Sequence, residues 1–472
     1  MTMDARIIAY GAYLPIHRLT AASLGRKGST ARTLAGPDED SLTLAVAAAR
    51  NALAGAGNMD RSEIDALIFA TTSAPYGEKQ GAAIAAKTLG LRDDVMTFDI
   101  TASTRSGTQA LHAAGALVAS GRIASCLVIA GDVRQMTPGD AAELEFGDAG
   151  AALLLGNRGG FGRIGVPVQL SNEMLDVWRG AGERFVHGWE NRFILDHGYK
   201  DQIGRALDAM AKAEGGNLQR IDRIALYAPD SRSLREIAAA HHLPLERVIG
   251  RDWPGRIGCT GASFALLQLC AGLEEAQAGE RLLLANYGDG ADAAMIELDV
   301  APPPPARSLA GQEALGRVVS HAWYLSARQL LATEFEPGGE PGNSATAHYR
   351  ERDANLSLEG QVCQCGTHQF PKGRICVRCG CADHFQPVRY ADRHGSVITY
   401  SRDAFFPNPS PPTVITVTEV AGGPRLYLQA TDADADEIGI GTEVEFTFRR
   451  IHQVGRRPNY FWKVTPVRGK LP

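Results

Sequence analysis

Between Ala5 and about Val300, apolar residues fall into two recurring patterns. Residues 64–70 (IDALIFA, polar only at Asp65) and 126–130 (CLVIA) are short apolar runs, the length of strands buried on both faces. Residues 224–228 (IALYA) and 281–288 (RLLLANYG) repeat that pattern. Between them, residues 41–54, 107–120 and 262–278 place Ala, Leu, Val and Gly at helical spacing. Short strands alternating with helices predict a layered, mixed α/β core.

The pattern breaks at APPPPARS, whose four successive prolines at 302–305 fit neither a helix interior nor a central strand and predict an extended linker. A helical stretch is expected at 323–333, followed by the Gly/Pro break EPGGEPGN and a polar run to about residue 359. From Gly395 the period becomes two. SVITYS, TVITVTEV, PRLYLQATD, TEVEFTFRRI and YFWKVTPV are β-branched or aromatic runs divided by Gly, Pro and Asp turns. Five such strands predict a small OB-like β-barrel. The expected division is 1–300 for the α/β domain, 301–356 for a linker and connecting arm, 357–385 for a cysteine-bearing ribbon and 386–472 for the barrel.

A chain of 472 residues accommodates that many units. Its 48 Lys and Arg against 53 Asp and Glu give a net charge of -5, so no global attraction to nucleic acid or anionic lipid is expected. No run of about 18 apolar residues occurs, and the first residues lack a signal-peptide pattern, so a cytoplasmic protein is expected.

Cysteine distribution adds the first chemistry. Five of the eight cysteines lie between residues 363 and 381. Cys363-x-Cys365, ten intervening residues and Cys376-x-x-Cys379 form two knuckles, the arrangement a closed structural zinc site requires. The first knuckle is one residue short of the usual spacing, which leaves Cys381, His368 and His384 as reserve ligands. Cys126, Cys259 and Cys270 sit in apolar or Gly/Ala-rich surroundings that suit small buried thiols.

Three segments, FDITASTRSGTQAL, LYAPDSRSL and RIGCTGASFALLQL, together with GDAGAALLLG from Gly147, resemble the thiolase superfamily, most closely 3-hydroxy-3-methylglutaryl-CoA synthase and the initiating β-ketoacyl carrier-protein synthases. The resemblance covers about residues 5–300. It implies an α-β-α-β-α fold, an acyl-coenzyme A substrate and a homodimer. The family's catalytic cysteine, histidine and asparagine fall by this resemblance on Thr104, Asp230 and Cys259, and the synthase's general-base glutamate on Thr72, with Glu78 nearby. A threonine hydroxyl without an adjacent base stays protonated, so a covalent acyl-enzyme of the usual kind is not expected. Cys259, expected just before a helix, reads either as a thiolate favoured by the helix N-terminus or as a buried space-filler. Asp230 reads either as an acid/base or as a helix N-cap.

The ribbon QCGTHQFPKGRICVRCG followed by the barrel resembles the DUF35-type proteins that partner thiolase-like enzymes, over about residues 357–472. Near the C-terminus, Tyr460, Phe461 and Trp462 lie close to Arg449, Arg450, Arg456 and Arg457. This basic aromatic edge reads as a single-strand nucleic-acid surface, as a solvated edge, or as a group holding coenzyme A phosphates or closing a substrate tunnel, and the last is favoured. The expected function is an acyl-CoA-dependent enzyme that forms or cleaves a carbon–carbon bond by aldolase, retro-Claisen or acyltransferase chemistry. The alternative is a non-catalytic acyl-CoA-binding scaffold for an active thiolase partner. RFVHGWENRFILDHGY, residues 184–199, reads as a tunnel wall or dimer face.

Overall fold

The computed structural model describes residues 4–57, 59–189, 191–215, 218, 220–331, 345–406, 408–454 and 457–468. Within them the buried runs become strands of one ten-stranded mixed sheet. Its order is Arg223–Leu226, Arg281–Tyr287, Gly290–Leu298, Gly162–Ile164, Arg6–Tyr13, Ala149–Gly156, Ser125–Asp132, Ala66–Thr71 and Met96–Thr101, with Val168–Ser171 added on Gly290–Leu298. Alternation explains why the central strands read as unbroken apolar runs. Ala66, Ile68 and Ala70 enter one core with the helices Ser106–Ala119 and Phe264–Glu275, while Leu67 and Phe69 enter another with Ser41–Gly55 and Gly81–Leu89.

The Ala/Gly-rich composition acts through close approach. Gly11, Gly131 and Gly150 lie on three strands of this sheet, and a Cβ at any of them would overlap the backbone of the helix Ser41–Gly55. That helix, SLTLAVAAARNALAG, presents mostly Ala to the sheet and is held at its start by a reciprocal Asp40–Thr43 capping box.

The connecting arm carries short elements of its own. Its first half docks on the α/β unit: Arg317–Val318 pairs in parallel with His17–Thr20, and the buried Gln312 amide bonds the backbone of Leu14 and Ala12. The helix expected at 323–333 is found at His321–Ala327, capped by Ser320 and followed by Gln329 in the left-handed region. The EPGGEPGN break lies outside the described residues. A second helix, Ala345–Ser357, leads into the ribbon strand Glu359–Cys363.

All five C-terminal strands form. Arg425–Gln429, Thr413–Val420, His394–Asp403, Glu443–Val454 and Arg457–Pro466 pair antiparallel in that order, and a bridge from Ala430 to Val464 nearly closes the barrel. Barrel residues Phe446 and Trp462 belong to the same apolar cluster as the helix Ser41–Gly55.

At that junction several side chains of the basic aromatic edge are buried and paired. Arg449 is 1% exposed and lies 2.9 Å from Glu39, 2.5 Å from Asp432 and 3.8 Å from Asp38, and it donates to the Tyr13 hydroxyl at 3.1 Å. Arg450 bonds the Pro37 carbonyl, Tyr460 donates to Asp40 at 2.8 Å, and the buried Trp462 donates to the Leu356 carbonyl. Arg449, Arg450 and Tyr460 fasten the barrel to the segment Gly36–Asp40, as a buried guanidinium must be paired, and Arg449 also lines the cleft beside this junction. Arg456 lies outside the described residues. A cleft of about 490 Å³ opens beside this junction, walled by Arg50 and Asn51 of the long helix, Arg307 after the prolines, and His394 and Glu445 of the barrel.

Candidate active site

Four segments at strand ends converge on one region, where ligands of open α/β sheets usually bind. The strand Met96–Thr101 runs into a tight turn before the helix Ser106–Ala119, with Ala102 in the left-handed region at φ 80°. Thr104 lies in that turn, and its hydroxyl donates to the Tyr287 carbonyl at 3.0 Å. Opposite it, Gly288 has φ +152°, and a Cβ there would overlap the Thr104 hydroxyl. Arg105, nearly buried, locks the two turns together by bonding the Asp289 carbonyl at 3.1 Å and pairing with Asp292 at 3.2 Å. Asp289 is itself left-handed, at φ 48°. Two non-glycine residues held in sparsely populated conformations mark a region over-determined by its surroundings.

Asp230 is a helix N-cap. One carboxylate oxygen accepts from the Arg232 and Ser233 amides, both at 2.8 Å, and the other from the Ser233 hydroxyl at 2.7 Å. The side chain that meets Cys259 belongs to Tyr227, three residues earlier: the Cys259 thiol donates to its hydroxyl at 3.7 Å. Cys259 is a buried thiol, one of the two readings open for it. It is 4% exposed, its backbone is bridged to Phe146, and its amide donates to the Glu145 carbonyl at 2.6 Å. The helix Phe264–Glu275 starts only after a further turn, Gly261–Ser263, and the Ala262 amide in that turn is taken by Asp132 at 2.7 Å. The Ala262 amide at this helix end is therefore committed to Asp132 and not to the sulfur.

Asp132, fully buried, also gathers Thr71, Thr72 and Ser73, accepting from the Thr71 hydroxyl at 2.8 Å and from the Thr72 amide and Ser73 hydroxyl at 2.7 Å. It fixes the loop that carries Thr72, while Glu78 is exposed.

Around Tyr227 stands an array of aromatic phenols that motif reading missed. Tyr287 stacks on Tyr227 with ring centroids 6.3 Å apart, and Tyr199 packs edge-on to both while donating to the Tyr227 carbonyl at 2.8 Å. The Tyr287 hydroxyl donates to the Asp176 carboxylate at 2.8 Å and sits over Gly198, where a Cβ would crowd it. Burial pushes both Tyr227 and Tyr287 well above the usual phenol range. Burial also raises the Asp176 carboxyl, although the Tyr287 hydrogen bond opposes the rise. The available signal was a hydroxyl-bearing aromatic at the end of each of two paired parallel strands, Arg223–Leu226 and Arg281–Tyr287.

In the ribbon, the sulfurs of Cys363, Cys365, Cys376 and Cys379 all lie within 4.8 Å of one another. The Cys363–Cys379 and Cys365–Cys376 separations are both 3.6 Å, close to the roughly 3.8 Å edge of a tetrahedron of thiolates about 2.3 Å from zinc. The short first knuckle works because Cys363 ends a strand and a tight turn, closed by the Gly366 amide on the Cys363 carbonyl, swings Cys365 inward. Of the reserve ligands, Cys381 lies 3.1 Å from Cys363, His368 bonds Tyr390 through Nδ1, and His384 is exposed.

A layered mixed sheet with its site where the ends of Met96–Thr101, Arg223–Leu226 and Arg281–Tyr287 meet the loop before Phe264–Glu275 defines a thiolase-fold protein. Residues 98–170 match the family model of 3-oxoacyl-[acyl-carrier-protein] synthase III. Hydroxymethylglutaryl-CoA synthase of Pyrococcus furiosus is 31% identical over 297 residues, covering 61% of this chain and 84% of that protein. The synthase of Methanopyrus kandleri is 30% identical over 298 residues, covering 60% and 84%. The chain belongs to the hydroxymethylglutaryl-CoA synthase family. Among solved structures, MvaS in complex with 3-hydroxy-3-methylglutaryl coenzyme A superposes with a TM-score of 0.59 at 20% identity, over 72% of this chain and 95% of that one. OleA of Xanthomonas campestris, bound to lauric acid and lauroyl-CoA, gives 0.55 at 19% identity, over 63% and 100%.

Proposed function

We propose that this chain is an acyl-CoA enzyme that makes or breaks a carbon–carbon bond β to the thioester carbonyl without passing an acyl group through an enzyme cysteine. The observation that carries the reading is Thr104, placed at the turn before the helix Ser106–Ala119 with its hydroxyl donated to a backbone carbonyl. A hydroxyl bonded in this way has no base to take its proton and is a poor nucleophile. Proton transfer remains, and the region holds Tyr227, which burial raises well above the usual phenol range, and Asp176, whose carboxyl burial raises. Asp230, consumed in capping, takes no part in this chemistry.

The four ribbon thiols hold a structural zinc, and a closed set of four leaves the metal no reactive position. The division at 300, 356 and 385 separates the catalytic unit, the docking arm, the ribbon and the barrel. The strand Met96–Thr101 is paired on one side by Ala66–Thr71, and Met96 is 40% exposed, which supports pairing with a second copy of this chain along that edge. All eight cysteines are free, which supports a reducing, cytoplasmic setting. Among the described residues no helix is long and apolar enough to cross a membrane.

The test is mass-spectrometric product analysis with a panel of short, β-keto, β-hydroxy and aromatic acyl-CoAs. Cleavage or extension of at least one member supports the proposal. Binding of acyl-CoA with no turnover across the panel, and turnover only when a thiolase chain is added, would establish a scaffold instead.

A further inference from the structure

Two side-chain hydrogen-bonded pairs lie in the site: Cys259 with Tyr227, and Tyr287 with Asp176. Their geometry differs in a way that sets direction. Tyr287 gives its proton to a carboxylate, so it is placed to take one from a substrate while passing its own onward. Tyr227 accepts from the Cys259 thiol, and no described residue accepts its own hydroxyl hydrogen, so it is placed to donate. The rings lie nearly parallel, 22° apart, and Tyr227 remains partly exposed while Tyr287 is 6% exposed. We propose that Tyr227 is the catalytic acid and the Tyr287–Asp176 pair the catalytic base of a retro-aldol cleavage of β-hydroxyacyl-CoA, with Cys259 as a positioning residue. This rests on the acyl-CoA carbon–carbon reading above and names its substrate class.

The steps balance. Tyr287 accepts the β-hydroxyl proton as its own proton moves to Asp176. The carbon–oxygen bond becomes a carbonyl, and the bond between the α and β carbons breaks. Its electron pair passes into the thioester as an enolate. Tyr227 protonates the α carbon of that enolate, giving an aldehyde and a shortened acyl-CoA. Return of the proton from Asp176 to the Tyr227 phenolate, through solvent, restores the enzyme. No oxidant, metal or covalent intermediate is needed. Run backwards, the same groups perform an aldol addition. Burial keeps Tyr227 protonated, the form that an acid needs, and strengthens Asp176 as a base.

The experiment uses the full chain and the Tyr227→Phe, Tyr287→Phe, Asp176→Asn and Cys259→Ser variants. It reads aldehyde release from a panel of β-hydroxyacyl-CoAs and, separately, exchange of the α hydrogens of acetyl-CoA and propionyl-CoA in deuterium oxide. Removal of a positioned acid or base lowers kcat by about 10²- to 10⁴-fold. Tyr227→Phe is expected to lose that much in both assays with KM nearly unchanged. Tyr287→Phe and Asp176→Asn are expected to lose it in aldehyde release. Cys259→Ser, which retains a donor to Tyr227, should stay within about tenfold. An unchanged melting profile for Tyr227→Phe separates chemistry from folding. Wild-type cleavage that survives Tyr227→Phe would overturn the assignment and leave the carbon–carbon reading standing. Wild-type protein that cleaves β-keto but not β-hydroxy thioesters, or cleaves neither, would overturn the assignment, and only a protein that neither cleaves nor extends any acyl-CoA would also remove the reading beneath it.

Discussion

Replacing Arg449 by Met should loosen the barrel from the α/β unit in a pH-dependent way. The guanidinium is the main positive charge among Glu39, Asp432 and Asp38, and Lys463 reaches only Asp38, at 2.9 Å. Removing one partner of a buried ion pair costs about 3–5 kcal/mol, because the other is left charged and dry. Glu39 makes that cost depend on pH. Burial raises its carboxyl from 4.5 to about 7, with Arg449 pulling the other way. A carboxyl raised on folding binds its proton more tightly in the native state, so its contribution is fully present below about 4.5 and is lost as pH rises toward 7. That span corresponds to roughly 3 kcal/mol. Without Arg449 the carboxyl rises further, and ionising it above pH 7 costs more than in the wild type. Urea unfolding of Arg449→Met should therefore show a loss of about 3–5 kcal/mol at pH 8 and a clearly smaller one at pH 5.5, where Glu39 is neutral in both proteins. Adding Glu39→Gln should remove most of the difference between the two pH values. Equal losses at pH 5.5 and 8, or a loss under about 1 kcal/mol at pH 8, would refute the picture of a buried charge cluster at this junction.

Asp230→Asn should leave turnover within about twofold and Asp230→Ala should cost about 0.5–2 kcal/mol of stability, as loss of an N-cap does; kinetics and thermal unfolding of the pair check this. Cys376→Ser should reduce bound zinc from one equivalent toward none by elemental analysis and expose the ribbon to protease, since metal binding there is folding free energy. Gly150→Val, which forces a side chain into the backbone around Leu44, should abolish soluble expression or lower the melting temperature by many degrees, whereas Gly77→Ala, in open space, should cost far less; thermal unfolding measures both. Gly288→Ala should suppress turnover more than stability, because the added methyl meets the Thr104 hydroxyl and strains a positive φ.

Elements buried on both faces were the most legible part of the chain. Residues 126–130 read as a strand because every side chain in Ser125–Asp132 is buried, and 41–54 read as a helix because small residues dominate its spacing. The barrel strands were legible because Thr413–Val420 and Arg457–Pro466 largely alternate buried and less buried residues. Docking was not legible. Arg449 looks the same in sequence whether it meets solvent or three carboxylates, and Gln312 gives no sign that its amide will bond strand backbone from 298 residues away. At the site, the three motif segments did bring Thr104, Cys259 and the neighbourhood of Asp230 to related strand ends. Which side chain of LYAPDSRSL faces the site was decided by local hydrogen bonding: an Asp before Ser-Arg-Ser caps the helix, and the strand's last aromatic is left pointing at Cys259. Asp176 carried no motif and reached Tyr287 only through the path of the chain.

The central claim is carbon–carbon chemistry on an acyl-CoA with no acyl-enzyme. The measurement that meets it most directly is intact-protein mass spectrometry on the full chain, acid-quenched during turnover of the best acyl-CoA substrate, with product release followed in the same samples. Accumulating cleavage or condensation product, with the protein at its unmodified mass throughout, is the predicted result. An acyl adduct that maps to Thr104 or Cys259 and decays as product forms would contradict it.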